Sequence, residues 1–123
     1  MTTITLTVDR RNLLTANQRK HRMAVANSTK ILRHAAALNA RSAHAPIFTV
    51  AHVTVHIAWP DRRRRDRLNI APTIKACIDG FTDAELWADD DDTHILGPDF
   101  RTDPELSGIK GVTRLTFVIE EVA

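Results

Sequence analysis

The sequence predicts an α+β fold, a single small domain over residues 1–123 with a mixed sheet of about four strands and two helices packed on one face. Three observations lead there. Three stretches alternate apolar and polar residues, and two others carry apolar residues at helical spacing. At 123 residues the chain is long enough for one well-filled core and too short for two. Strand, helix, strand, helix, strand, strand is then the order of elements, which suits helices laid on one sheet.

Ile4, Leu6 and Val8 alternate with threonines and make a half-buried first strand ending at Asp9-Arg10-Arg11. From about Thr15 to Ser42 the composition turns helical, with Ile31, Leu32, Ala35, Ala36 and Leu38 as its apolar stripe. Two starts are open: the whole span, or an N-cap at Asn27-Ser28-Thr29 that leaves 16–26 as a basic loop or short turn. Ala45-Pro46 closes this helix. Phe48 to Trp59 is the second strand, with Ala51, Val53, Val55, Ile57 and Trp59 on one face and His52, Thr54 and His56 on the other. After the charged loop that follows Pro60, Asn69 is the expected cap of a second helix. Pro72 lies in its first turn, Ile74, Cys77 and Ile78 face inward, and Gly80 ends it. Thr93 to Gly97 reads as a short strand, 98–111 as a loop, and Val112 to Val122 as the last strand, with Leu115, Phe117 and Ile119 on one face.

Charge is polarised along the chain. Residues 1–75 hold 14 Lys and Arg against 3 Asp, a net of +11, whereas residues 76–123 hold 3 against 12 acidic residues, a net of −9. A cluster of cations points to a polyanion partner, because it displaces counterions condensed on nucleic acid. Aspartates beside such a surface repel phosphate unless a divalent cation lies between them. No stretch reaches the roughly 20 apolar residues of a membrane span, and no basic segment followed by an apolar one opens the chain at Met1-Thr2-Thr3-Ile4. A cytosolic protein is expected. The single cysteine, Cys77, forms no internal disulfide and is read as core filling.

Two segments carry the chemistry. Asp61-Arg62-Arg63-Arg64-Arg65-Asp66-Arg67-Leu68-Asn69 mixes cations with carboxylates. Phosphodiester hydrolysis uses that mixture: arginines hold flanking phosphates, and carboxylates hold the Mg²⁺ that lowers the pKa of an attacking water. The plainer alternative is a solvated basic loop. Asp89 to Asp92 form the second segment, either a metal site needing only one or two of the four, or a solvated acidic turn. His52 and His56 read as a polar sheet face, and Trp59 and Trp87 as core or interface anchors.

The run Trp59-Pro60-Asp61-Arg62-Arg63-Arg64-Arg65-Asp66, continued by Asn69, Lys75, Asp79-Gly80, Leu86-Trp87 and Asp89-Asp90, resembles the RusA-type crossover (Holliday) junction endodeoxyribonucleases of prophages and bacteriophages. Leu14-Thr15-Ala16-Asn17-Gln18-Arg19 is similar to that family's segment before its long helix. The resemblance implies a homodimer that binds four-way DNA junctions and nicks two opposed strands using aspartate-held Mg²⁺; Mn²⁺, which tolerates looser geometry, is the alternative cation expected. By position it implies metal ligation by Asp66 and Asp90, with Asp89 or Asp91 as register alternatives to Asp90. Asn69 and Lys75 join these in the catalytic set. The basic residues Arg62, Arg63, Arg64, Arg65 and Arg67, with Arg19 and Lys20, are the expected DNA contacts. The family's Asp-x-Asp-Asn departs here to Asp66-Arg67-Leu68-Asn69, so Leu68 stands where a second aspartate is expected. Its lysine one turn beyond the asparagine is replaced by Pro72, with Lys75 one turn further on.

The leading expectation is a Mg²⁺-dependent junction endonuclease serving DNA recombination or repair. One alternative is a branched-DNA-binding protein weakened or inactive in cleavage. Another, of a different class, is a protein-interaction domain that docks a basic partner on its acidic half.

Overall fold

A computed structural model describes residues 1–17 and 19–122. Strands β1 (Thr2–Asp9), β2 (Ala51–Ala58), β3 (Ile95–Thr102) and β4 (Val112–Glu121) form one sheet in the order β1-β4-β2-β3. The β2–β3 pair is parallel and the other two pairs are antiparallel. A parallel pair needs a crossover, and α2 (Ala71–Asp83) supplies it. The other helix, α1 (Arg22–Ser42), packs along α2. The expected α+β class, four-stranded mixed sheet and two helices are all present.

Strand register explains the core. Leu6, Leu115 and Ile57 form one cross-strand row, and Ile4, Phe117 and Val55 the next. Period-two alternation turns all six to the same buried face. Phe81 of α2 meets Phe117 edge-on at 4.9 Å between ring centroids, which seats the helical layer on that face. His52, Thr54 and His56 lie on the opposite, half-exposed face, as expected.

Local boundaries differ from the sequence expectation in four places. First, α1 begins at Arg22, where the His21 ring accepts a hydrogen bond from the Met23 N–H, so neither expected start holds. Ser28 is buried instead, its hydroxyl directed at Asn12 Oδ1 and the Arg11 carbonyl, and thus it docks the turn after β1. Second, the inward stripe of α1 runs Ser28, Leu32, Ala36, Ala37 and Ala40, while Ile31 and Leu38 are exposed.

Third, a 3-10 turn (Arg67–Ile70) precedes α2, and the Asp66 carboxylate caps that turn by accepting from the Leu68 N–H at 3.0 Å. Asn69 is therefore inside the turn and is not the helix cap. Nor does Gly80 end α2, which continues to Asp83. A Cβ at Gly80 would lie 2.2 Å from the Arg33 carbonyl oxygen and 2.8 Å from Ala36 Cβ. Its missing side chain lets the helices touch. Fourth, β3 runs on through Gly97-Pro98 to Thr102, so the loop is shorter than expected. A register shift between His52 and Thr54 accommodates the proline on this edge strand. Among the described residues no helix is long and apolar enough to cross a membrane.

Candidate functional site

Arginine loop geometry starts from Trp59, which is buried at the end of β2. The Arg65 guanidinium lies over its ring, 5.1 Å from the centroid. From there Arg65 donates to the Asp61 carboxylate at 2.6 Å and to the carbonyls of Asp61 and Arg63. Asp61 also accepts from the Arg63 N–H. Arg65 and then the Arg63 amide hold the Asp61 carboxyl below its ordinary 3.8. This clamp curls the backbone and leaves Arg62, Arg63 and Arg64 exposed. Arg67 is exposed too, but its Nε donates to the Phe100 carbonyl on β3 at 3.1 Å. Of the five arginines in this run expected to contact DNA, Arg65 and Arg67 therefore also shape the loop.

Arg19 and Lys20 precede α1. The Lys20 ammonium donates to the Arg11 carbonyl. Gln18, part of the similar N-terminal segment, lies outside the described residues. Two residues of that segment, Leu14 and Ala16, are anchored at α2 and the turn before it. Ala16 N–H donates to the Asn69 carbonyl at 2.8 Å, and buried Thr73 both accepts from Leu14 N–H and donates to its carbonyl. Thr73 escaped the sequence reading because a buried hydroxyl inside a helix carries no pattern.

Tertiary structure brings Lys75, Asp79 and Asp90 together. The Lys75 ammonium donates to Asp79 at 2.7 Å and to Asp90 at 2.6 Å. Lys75 first, then a hydrogen bond with Asp79, draws the Asp90 carboxyl below its ordinary range, and the two carboxylates raise the Lys75 ammonium above its own. Asp79 was not expected here, although Lys75-x-x-x-Asp79 is the spacing at which helical side chains meet. The four consecutive aspartates have separate tasks. Asp89 accepts from the Asp90 N–H, and Asp91 caps a turn by accepting from Thr93 and pairing with His94. Asp90 and Asp92 line one concavity of about 310 Å³ with Lys75, Ile95 and Pro98.

Asp66 lines a different concavity, with Arg64, Arg65, Arg67 and Thr102. Its carboxylate is engaged in the turn cap to the Leu68 N–H. Among the described residues, no group of three or more His, Cys, Asp or Glu side chains is placed to hold a metal ion. Burial pushes the Cys77 thiol up to about 12, consistent with core filling. Trp87 is buried with its indole N–H donated to Thr82. No family model matches the chain, and a search of curated proteins returns no significant match.

Proposed function

We propose that this chain is a divalent-cation-dependent endonuclease that binds branched DNA, four-way junctions above all, and nicks it as a homodimer. One observation carries the proposal: Lys75 joins Asp79 of its own helix to Asp90 of a separate segment, and Lys75 and Asp90 line a concavity together with Asp92. Mg²⁺ needs only one or two carboxylates because it keeps several waters. Asp90 and Asp92 fit that demand, with Asp79 adjacent through Lys75. A cation held there would lower the pKa of a water and offset phosphate charge. Lys75 favours the ionised form of Asp90, and exposed Arg62, Arg63 and Arg64 provide charge for the flanking backbone.

The similar family supplies the junction preference and the dimer, since two symmetric cuts need two sites related by a two-fold axis. A second reading is favoured by Asp66 and Leu68. Asp66 lines a separate concavity, and Leu68, exposed at 61%, stands in place of a carboxylate. This reading is a branched-DNA-binding protein that does not cut.

Incubating the purified protein with a synthetic immobile four-way junction, with and without Mg²⁺ or Mn²⁺, separates the two. Paired nicks only with metal support the nuclease. Binding without nicks supports the second reading, and absence of binding rejects both. Sedimentation showing only a 13.8 kDa monomer, with and without DNA, would remove the symmetric mechanism.

A further inference from the structure

A concavity of about 520 Å³ lies where three segments meet: the end of β1, the loop after β2 and the loop before β4. Arg10, Arg63, Arg65 and Lys110 line it, with Asp9 and Asp61 as the acidic residues. Both carboxylates are engaged by arginines. Asp61 is clamped by Arg65, and Asp9 accepts from the Arg11 N–H at 3.0 Å with the Arg11 guanidinium 3.5 Å away. The backbone closes the groove, as Arg10 N–H donates to the Gly111 carbonyl at 2.9 Å. Three exposed cations from distant sequence positions, Arg10, Arg63 and Lys110, thus share one groove.

The groove does not stand alone. Arg63 and Arg65 also line a neighbouring concavity with Arg62, Asp61 and Asp103, and Arg65 lines a third with Arg64, Arg67 and Asp66, so that cations outnumber carboxylates in each. Successive cationic hollows around one loop suit a chain of phosphates better than a single small anion, because each hollow neutralises a different phosphate. We infer that Arg10, Arg63 and Lys110 form a backbone-phosphate subsite that holds a DNA strand against the side of the arginine loop. It rests on the DNA-binding reading above and adds contacts that the sequence did not single out.

The test measures junction affinity over a range of salt concentrations without metal, so that cleavage plays no part. Arg10→Gln with Lys110→Gln removes two groove cations, and Lys30→Gln with Arg41→Gln removes two from α1 outside the groove. Each phosphate contact contributes about −0.9 to the log–log salt slope, so the groove pair should flatten it by about 1.8. The control pair should leave the slope in place, and Arg10→Lys with Lys110→Arg should restore it. Equal effects from both pairs, or none from the groove pair, overturn the subsite while leaving DNA binding intact. A native protein that binds no DNA overturns both the subsite and the reading beneath it.

Discussion

Arg65 lies over the face of Trp59, 5.1 Å from the ring centroid, and the same guanidinium ties Asp61 and Arg63 into a curled loop. An arginine run would otherwise repel itself and splay. Here one member is spent on shape, and its neighbours are presented outward on a rigid base.

Lysine at position 65 keeps the charge but loses the planar guanidinium, whose face stacks on Trp59 and whose Nη1 is shared among three acceptors. Arg65→Lys should therefore weaken junction binding several-fold, whereas Arg62→Lys should leave it nearly unchanged. The stack contributes about 0.5–1 kcal/mol to stability. Tryptophan fluorescence, read beside affinity, checks that the Trp59 environment changes in the first variant alone.

Asp90→Asn should abolish metal-dependent nicking while junction binding persists or tightens, since phosphate repulsion is relieved. Asp66→Asn should keep its turn, because Asn caps as well as Asp, and Asp66→Ala should lose about 1 kcal/mol. Full cleavage by Asp66→Asn, measured beside Asp90→Asn, would assign metal binding to the aspartate run alone.

Leu68 is 61% exposed, so a carboxylate introduced there meets water and carries no burial penalty. Leu68→Asp should keep the native melting temperature, with a stability change within about 0.5 kcal/mol. If position 68 borders the metal site, the Mg²⁺ concentration for half-maximal cleavage falls. An unchanged titration would place that position outside it.

Gly80→Ala should destabilise the protein by about 1–3 kcal/mol or more, because the new Cβ meets the Arg33 carbonyl and Ala36 at the helix crossing. Urea denaturation measures this. A stability gain, expected if Gly80 were an ordinary helix glycine, would contradict the packing.

Arg33 holds the Asp83 carboxyl below its ordinary 3.8, chiefly through its hydrogen bonds at 2.5 and 2.8 Å. A depressed folded pKa means that this contribution is complete above about 3.8, the unfolded value, and is lost as pH falls through the folded one. Arg33→Gln should lessen the acid-side loss of stability. Because the pair is largely exposed, the effect should also shrink with added salt. Thermal melts from pH 2 to 6 at two salt concentrations test both statements.

Alternation in 2–9, 51–58 and 112–121 was enough to determine strands, buried faces and fold class, because period-two patterning leaves one face to bury. Ile74, Cys77 and Ile78 likewise declared the inner face of α2. Local pattern could not decide that Gly80 is a contact point and not a stop, since its reason is Ala36, 44 positions away. The same holds for the sites. Composition identified the arginine run and the aspartate run as charged segments with chemistry to offer. Only the folded chain decided that Asp90 faces Lys75 and Asp79, that Asp66 turns to cap its own loop, and that Arg10 and Lys110 join Arg63. Strand order and loop closure set those meetings, and side-chain charge has no period that a sequence can display.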